Sequence, residues 1–533
     1  MHKVNWLEKA VFYNIYPQSY YDSNGDGIGN LAGICEKLDY IHEIGFNALW
    51  LNPFYESTFR DGGYDITNFY KVAPRYGTNE DFVRLCEKAH SLGIKVCVDM
   101  VAGHTSMNHP WFQESAKAMK NEYTNRYIWS DTWLKAPEAS FVNGYSERNG
   151  CYMANFFYNQ PALNYGFAKV DDPSWQLPMD HPDCRATKQE LLNIMEFWMQ
   201  LGCDGFRVDL ASSLVKNDPD GSGIRAFWNE IRTLFDEKYP ECVLISEWGD
   251  PFVSIPAGFH IDFLTHCFYQ AYTKLLRADK NRNVGDEFQG NTYFDREGKG
   301  DFAEFLDEYQ KMLDATKGKG YVSIPTGNHD LPRYSVARSQ EELKLIMAFI
   351  LTMPGVPFVY YGDEIGMCYQ ANLISKEGGY NRTGSRTPMQ WKKGRNLGFS
   401  EGEEKDLYLP VDAYEDAPTV EEQLEDETSL LRLTQKLIAL RMTSAALSAD
   451  GEVTFLNHKE RGYPLVYLRT DGQEKYLVCI NPTDKPLTFH LCETEQLRDV
   501  KGYTTVLESK AVAVEDGILR VSAVGFSILK VAE

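Results

Sequence analysis

The stretch LLNIMEFWMQLGCDGFRVD, residues 191–209, joins an apolar-striped helix to a short apolar strand through a glycine. Leu191, Ile194 and Trp198 are three and four residues apart, the spacing of one helical face. Gly202 follows, and a glycine just past a helix takes the left-handed conformation that ends it. The run 205–208 then reads as a strand buried on both faces, which is typical of a parallel sheet.

The same helix–glycine–strand unit occurs twice more, with the strands at 46–51 and 94–101. Its repetition predicts a parallel sheet, either open and doubly wound or closed into a barrel. Together with the other apolar runs, the predicted strands are 11–16, 46–51, 94–101, 205–208, 243–245, 258–263, 321–325 and 357–361. Eight strands favour the barrel, so we predict an α/β fold with a (β/α)8 TIM barrel.

Two regions interrupt this pattern. About eighty residues rich in aromatic side chains separate the third predicted strand from the next helix, and a connection of that length is usually a functional insertion. Beyond about residue 445, short β-rich runs alternate with turns at 453–456, 465–469, 476–480, 488–492, 504–507 and 526–529. We predict a barrel at 1–104 and 180–445, an inserted domain B at 105–179, and a C-terminal antiparallel β-sandwich at 446–533.

Composition excludes several functional classes. The 533 residues are 43% hydrophobic and carry a net charge of −22, which argues against nucleic acid and anionic membranes as partners. No run approaches the ~20 apolar residues that span a bilayer, and no basic segment followed by an apolar stretch opens the chain. The eleven cysteines are scattered and show no metal-ligand spacing, as expected of free thiols in a reducing compartment. We therefore expect a cytoplasmic protein.

Two neighbouring predicted strands end in carboxylates. Side chains alternate along a strand, so Arg207 and Asp209 share one face, and the arginine is expected to keep Asp209 ionised. The next strand delivers Glu247 beside Trp248, an apolar neighbour that suits a general acid. One charged and one protonated carboxyl group is the arrangement that glycoside hydrolysis needs. The alternative is a structural ion pair with a solvated glutamate.

Two further strand ends add polar residues to the same predicted barrel mouth. His104 follows the third strand, and His329 and Asp330 follow the seventh. Zinc is a rival explanation, but no His-Glu-x-x-His or paired-cysteine spacing occurs, and a cation would compete with Arg207. No Gly-x-Ser-x-Gly elbow supports a serine triad.

At this point the sequence resembles the α-amylase family of glycoside hydrolases. Four segments are similar to that family's signatures, in order: DMVAGH ending at His104, GFRVD ending at Asp209, ISEW around Glu247 and GNHD ending at Asp330. The resemblance implies a retaining enzyme with Asp209 as nucleophile, Glu247 as general acid/base and Asp330 as stabiliser of the oxocarbenium-like transition state.

Flanking segments resemble the oligo-1,6-glucosidase, α-glucosidase and trehalose synthase group: YPQSY from Tyr16, GYD ending at Asp65 and RTPMQW from Arg386. In QPALN, residues 160–164, alanine stands where that group commonly has aspartate. The resemblance implies that substrate is bound by Tyr64, Asp65, His104, Arg207, His329 and Arg386.

Within this set, Tyr64 would stack under glucose, while Asp65 and Arg386 would bind its outermost hydroxyls and close the pocket. A closed pocket predicts exo action. If Asp65 and Arg386 instead form a surface ion pair, the cleft would be open and endo action would follow.

A cation loop is the remaining candidate site. The run DSNGDGIGN places oxygen ligands at alternate positions, Asp22, Asn24, Asp26, Ile28 and Asn30, which suits structural Ca²⁺, with Mg²⁺ as an alternative. The loop lacks a closing glutamate, because Gly33 stands there, and Asn30 stands where related glucosidases have aspartate. The alternative is a metal-free turn in which Asn30 caps the following helix.

Three functions remain open at this stage. The first is a retaining exo-α-glucosidase that acts on small oligosaccharides from the non-reducing end. The second is a transglycosylase or isomerase of trehalose synthase or sucrose isomerase type. The third is a non-catalytic sugar-binding relative, which the presence of all three carboxylates disfavours. Linkage preference stays open, because Leu210 matches neither the valine nor the alanine or threonine of related subgroups.

Overall fold

The computed structural model describes residues 3–132, 136–143, 146–264, 270–276, 291–378, 380–457, 460–491, 494–497 and 500–532. Within these ranges no helix is both long and apolar enough to cross a bilayer. The helices of the described chain are α1 Leu31–Glu36, α2 Leu38–Ile44, α3 Asn79–Ser91, α4 Pro110–Ser115, α5 Pro182–Gln200, α6 Ser222–Lys238, α7 Pro251–Ser254, α8 Gln270–Leu276, α9 Ala303–Thr316, α10 Gln340–Thr352, α11 Val420–Glu425 and α12 Leu430–Thr443.

The centre of the molecule is a parallel barrel. Its described strands are β1 Phe12–Ile15, β2 Ala48–Leu51, β3 Lys95–Met100, β4 Gly205–Val208, β5 Val243–Ser246, β6 Ile261–Phe263, β7 Tyr321–Ser323 and β8 Phe358–Tyr360. They are hydrogen-bonded in the order β7–β6–β5–β4–β3–β2–β1–β8. Beyond β7, the N–H of Thr326 donates to the carbonyl of Phe358 at 2.9 Å and brings the two ends together. The predicted (β/α)8 fold is confirmed.

The helix that feeds β4 shows how local sequence builds the repeat. α5 begins at Pro182, where the proline lacks an N–H that the first helical turn would leave unpaired, and its buried face includes Ile194 and Trp198. Gly202 has φ +110° just past the helix, and the N–H of Cys203 returns to the carbonyl of Trp198 at 3.2 Å. This turn sends the chain directly into β4.

Two excursions on the carboxyl side of the barrel cover its mouth. A hairpin of Tyr55–Ser57 and Ile66–Val72 follows β2 and carries the turn 58–65. After β3, the insertion contains a three-stranded antiparallel sheet with Cys151–Met153 between Trp129–Ser130 and Phe141–Asn143. The insertion is tied to the barrel where the N–H of Leu163 donates to the carbonyl of Gly103 at 3.1 Å.

The C-terminal region is built from antiparallel sheets of five and three strands with an apolar cluster that spans both. Its strands are β9 Glu452–Phe455, β10 Leu465–Thr470, β11 Lys475–Asn481, β12 Leu487–His490, β13 Gly502–Glu508, β14 Val512–Glu515, β15 Ile518–Val521 and β16 Gly525–Ala532. The sequence analysis did not predict β14 and β15, although their side chains alternate between more exposed and more buried positions. Residue 492 of the predicted run 488–492 lies outside the described residues.

Candidate active site

One buried arginine gathers three carboxylates at the barrel mouth. The register pairs Arg207 of β4 with Asp99 of β3 and Ile245 of β5, so its guanidinium points between the strand ends. Its Nη1 lies 2.8 Å from Asp99 Oδ1 and 3.1 Å from Asp209 Oδ1, and its Nη2 lies 2.8 Å from Glu247 Oε1. A single guanidinium therefore holds the Asp209 and Glu247 carboxyl groups side by side at the barrel mouth.

The charge balance at Asp209 differs from the expectation. Burial, and next the neighbouring Glu247 carboxylate, raise the pKa of Asp209 well above its usual range, while Arg207 opposes them. Arg207 lowers the pKa of Asp209, as expected, but burial and Glu247 outweigh it, because the guanidinium is divided among three acids. The three carboxylates in turn hold the pKa of Arg207 above its usual range against burial.

Glu247 is held from two sides. Its Oε1 binds Arg207, and its Oε2 accepts the N–H of Leu210 at 3.1 Å. Leu210 has φ +42°, a left-handed conformation that is strained for a residue with a side chain. This conformation turns the Leu210 amide, which follows Asp209, towards the Glu247 carboxyl group, so the backbone links the two acidic residues directly.

Asp330 forms the other wall of the site. Its Oδ2 lies 3.2 Å from His329 Nε2, and its Oδ1 lies 2.9 Å from Arg382 Nη1 and 3.0 Å from Arg386 Nη2. Burial disfavours its charged form, but His329, Arg382 and Arg386 together hold the pKa of Asp330 well below its usual range. Asp330 is thus a fixed anion, as stabilisation of a developing positive charge requires.

Aromatic rings form the floor between these walls. The ring of Tyr64 is nearly parallel to that of His329, with centroids 5.0 Å apart. Its hydroxyl donates to Asp99 Oδ2 at 2.9 Å and accepts from Asn52 Nδ2 at 3.0 Å. The ring of Tyr64 is therefore fixed in place before any sugar arrives.

The predicted contact between Asp65 and Arg386 does not form. The Asp65 carboxylate accepts from Ser57, Thr58 and the N–H groups of residues 60 and 61, and so closes the hairpin turn. Arg386 instead binds Glu377 Oε2 at 2.7 Å, in addition to Asp330. The sequence analysis chose Asp65 as the acid of this pocket. The turn is short, so the Asp65 carboxylate accepts N–H groups of its own backbone and is not available to Arg386.

Asp61 and Arg382 take the positions that were expected of the missing pair. Asp61 Oδ1 lies 2.7 Å from Arg382 Nη2, and its Oδ2 accepts from Gln160 Nε2 at 2.7 Å. Arg382 also binds Asp330, and the ring of Phe157 lies 5.6 Å from its guanidinium carbon. Asp61 stands three residues before Tyr64, and nothing in their spacing distinguishes it from Asp65.

His104 contacts the hairpin after β2 and the inserted segment, and its two ring nitrogens bind neutral groups. Its Nε2 lies 3.2 Å from the carbonyl of Tyr64, and its Nδ1 lies 3.2 Å from Asn155 Nδ2. Burial lowers the pKa of His104 to about 4, so the ring is neutral near pH 7 with its proton on Nε2. Lys216 Nζ binds Asn155 Oδ1 at 2.9 Å and orients that amide.

The predicted cation loop is closed by its own hydrogen bonds. Asp22 accepts the N–H groups of Asn24, Gly25 and Gly27, and Asp26 accepts that of Ile28. Asn30 Oδ1 caps α1 by accepting from Gly33 N at 2.7 Å. The oxygens suit Ca²⁺ by type, but only two are carboxylates, and no cluster of three His, Cys, Asp or Glu groups occurs in the part of the chain described.

Comparisons with known proteins agree with this geometry. The model of the alpha amylase catalytic domain matches residues 14–450. Among similar proteins, a trehalose synthase/amylase of Mycolicibacterium smegmatis is 34% identical over 480 residues, which cover 82% of this chain and 76% of that protein. An oligo-1,6-glucosidase of Parageobacillus thermoglucosidasius is 30% identical over 547 residues, covering 91% of this chain and 92% of that protein.

Two solved structures are similar over nearly the whole chain. Trehalose-6-phosphate hydrolase of Bacillus licheniformis has a TM-score of 0.81 at 25% identity and covers 99% of this chain and 100% of its own. An isomaltulose synthase variant from Erwinia rhapontici, in complex with its natural substrate sucrose, has a TM-score of 0.79 at 25% identity and covers 99% of both chains. The match to the catalytic-domain model, the barrel and the three acids at its mouth together identify this chain as a member of the α-amylase family.

Proposed function

We propose that this protein is a retaining α-glucosyl-transfer enzyme of trehalose synthase type, which moves a glucosyl group from one sugar hydroxyl to another within a small disaccharide. The observation that carries the chemistry is the Arg207 guanidinium, which binds both Asp209 and Glu247. Similarity at 34% and 32% identity to proteins named trehalose synthase/amylase supports transfer as an outcome beside hydrolysis.

The reaction proceeds in two displacements on opposite faces of the anomeric carbon, each of which inverts it, so that the configuration is retained overall. Asp209 attacks the anomeric carbon while Glu247 gives its proton to the departing glycosidic oxygen, which leaves a glucosyl ester on Asp209. Glu247, now a carboxylate, takes the proton from the incoming hydroxyl as that oxygen attacks the anomeric carbon, which breaks the bond to Asp209 and releases its carboxylate. Asp330 stays ionised throughout and stabilises the positive charge that develops on the ring.

The far end of the glucose lies against Asp61 and Arg382. Their ion pair, with Gln160 behind it, presents fixed charged hydrogen-bonding groups to the hydroxyls remote from the reacting bond. Tyr64 supplies an apolar face below the ring. A pocket closed at this end holds one glucosyl unit, so the enzyme acts at a non-reducing end.

Closure of the mouth supports sugar over water as acceptor. The insertion reaches the site through Asn155, Phe157 and Gln160, and the segment after β8 reaches it through Arg382 and Arg386. Asp209 is only 7% exposed. A released glucose that stays in such a site can turn and attack the ester before water does.

Hydrolysis of short α-glucosides is the second candidate. The similarity to oligo-1,6-glucosidase over 91% of this chain favours it, and it uses the same ester with water as acceptor. The same residues therefore serve both functions, and the acceptor distinguishes them.

Product analysis separates the two candidates. Purified protein is incubated with maltose, isomaltose, sucrose and trehalose, and products are resolved by anion-exchange chromatography and proton NMR. A new disaccharide formed faster than free glucose supports transfer, whereas glucose as the sole product, accompanied by fructose in the case of sucrose, supports hydrolysis. Initial release of a β-anomer contradicts retention, and no turnover of any substrate contradicts both functions.

A further inference from the structure

Asp262 lies directly beside the end of the strand that carries Glu247. The register pairs Ser246, the last residue of β5, with Asp262 on β6, and the Asp262 side chain is fully buried. Glu247 follows Ser246, so its backbone is the first beyond the regular ladder between β5 and β6. What holds the chain at this point decides where the Glu247 carboxyl group stands.

The Asp262 carboxylate takes the place of the missing ladder. Its Oδ1 accepts the N–H groups of Trp248 and Gly249, both at 3.2 Å. Its Oδ2 accepts the hydroxyl of Ser254, at the end of α7, at 2.7 Å. Gly249 has φ +71°, so the chain turns sharply there. One buried carboxylate thus ties the turn after Glu247 to β6 and to the short helix α7.

Glu247 is restrained on its other side by the neighbouring strand. Its N–H donates to the carbonyl of Val208 at 3.0 Å, and its carbonyl accepts from Ala211 at 3.3 Å. Backbone hydrogen bonds to the β4 side therefore hold Glu247, and the carboxylate of Asp262 on β6 holds Trp248 and Gly249. Loss of the second restraint would let the 248–249 turn move and shift the carboxyl group away from the glycosidic oxygen.

The cost of this carboxylate argues for a specific role. Burial raises the pKa of Asp262 to about 6, and hydrogen bonds from Ser254, Ser246, Gly249 and Trp248 only partly offset it. Among the residues that the structure describes, no cation contacts this carboxylate, and a buried anion without a cation is costly in free energy. A charged acceptor binds N–H groups more tightly than a neutral one does.

We propose that Asp262 is a positioning residue for Glu247, acting through the turn at Trp248 and Gly249. This inference rests on the proposed function, in which Glu247 is the general acid/base. Asp262 does not touch the sugar; it keeps the proton of Glu247 in line with the departing oxygen.

The test uses two substrates that differ in their need for an acid. Maltose has a sugar alkoxide as leaving group and needs protonation, whereas α-glucosyl fluoride loses fluoride with little help. Asp262→Ala is expected to lower kcat/KM on maltose by about 10²-fold, the lower end of what a positioned acid contributes, and to leave kcat/KM on α-glucosyl fluoride nearly unchanged. On α-glucosyl fluoride the ester forms without an acid but its breakdown needs a base, so the variant should lose kcat. Azide, which needs no base, should restore this kcat by attacking the anomeric carbon of the ester, which releases the Asp209 carboxylate and gives a glucosyl azide.

Two further variants make the test specific. Asp262→Asn keeps an oxygen for the Trp248 and Gly249 amides, so it should show the same substrate selectivity with a smaller loss. Ser254→Ala removes only the bond to Oδ2 and should match the wild type on both substrates. The Asn variant also decides the matter if the Ala variant fails to fold.

Each outcome has a defined meaning. Equal losses on maltose and α-glucosyl fluoride, or no rescue by azide, overturn the positioning role and indicate a general distortion of the site. Wild-type protein that turns over neither substrate overturns the proposed function and this inference with it.

Discussion

Replacement of Asp61 by Asn tests the closed end of the sugar pocket most directly. The change keeps the shape of the side chain and removes its charge, which faces Arg382 at 2.7 Å. Asp330 still binds Arg382, so the arginine is not left without an acid. The variant therefore weakens the grip on the remote sugar hydroxyls without dismantling the reacting centre.

The magnitude follows from the kind of bond that is lost. Asp61 is 2% exposed, so water cannot replace its contribution. A hydrogen bond to a charged group contributes about 1.5–3 kcal/mol, and each 1.36 kcal/mol changes a rate about tenfold. We expect kcat/KM to fall about 10- to 150-fold. Burial raises the pKa of Asp61 and so disfavours its charged form. The variant removes that charge, so the stability of the folded protein should change little.

The assay measures kcat and KM on maltose together with thermal unfolding. Asp363→Asn is the control, since it alters an ion pair with Arg333 at 3.0 Å whose two side chains are both fully buried. The control should lower the melting temperature and leave kcat/KM unchanged. A folded Asp61→Asn variant with wild-type kcat/KM would refute the closed-pocket argument, and loss of activity in the control would show that any buried charge has this effect.

Three further expectations follow from the same structure. Asp209→Asn should lower kcat by at least about 10⁴-fold, as removal of a nucleophile does. The melting temperature should not fall, because burial disfavours the charge of Asp209 that the variant removes. Residual ester formation in the variant would contradict the role of Asp209 as nucleophile. Burial raises the pKa of Glu364 from 4.5 to about 7. The stabilising contribution of the protonated group is therefore complete below pH 4.5 and is lost as pH rises through 7, by up to about 3 kcal/mol. Glu364→Gln should narrow the difference in melting temperature between pH 5 and pH 8, and an unchanged difference would contradict this assignment. We propose that the loop 22–30 binds Ca²⁺ weakly. Millimolar Ca²⁺ should then raise the melting temperature of chelator-treated protein. An unchanged melting temperature with Ca²⁺ or Mg²⁺ would show that the hydrogen-bonded turn needs no ion.

The proposed reacting centre could be predicted from the sequence, because its geometry depends on residues that are close together along single strands. Alternation along β4 places Arg207 and Asp209 on one face, and parallel strands bring their carboxyl ends to one edge. These two rules are enough to place Glu247 beside Asp209, as the shared guanidinium shows. The charge state of Asp209 was not readable, because it depends on how three acids divide one arginine.

The substrate pocket required the tertiary structure. Asp61 and Arg382 are 321 residues apart, on irregular turns whose side-chain directions follow no period. Asp65 was chosen from its motif, but the turn 58–65 folds that carboxylate onto its own amides.

The sequence by itself determined the barrel, the insertion and the acids at the strand ends, since helical and strand periodicities are properties of consecutive residues. Only the tertiary structure decided which acid meets Arg382, which one closes a turn, and that Asp262 holds the chain beside Glu247. Those choices depend on where loops from distant parts of the chain meet and on which buried charge each of them must neutralise.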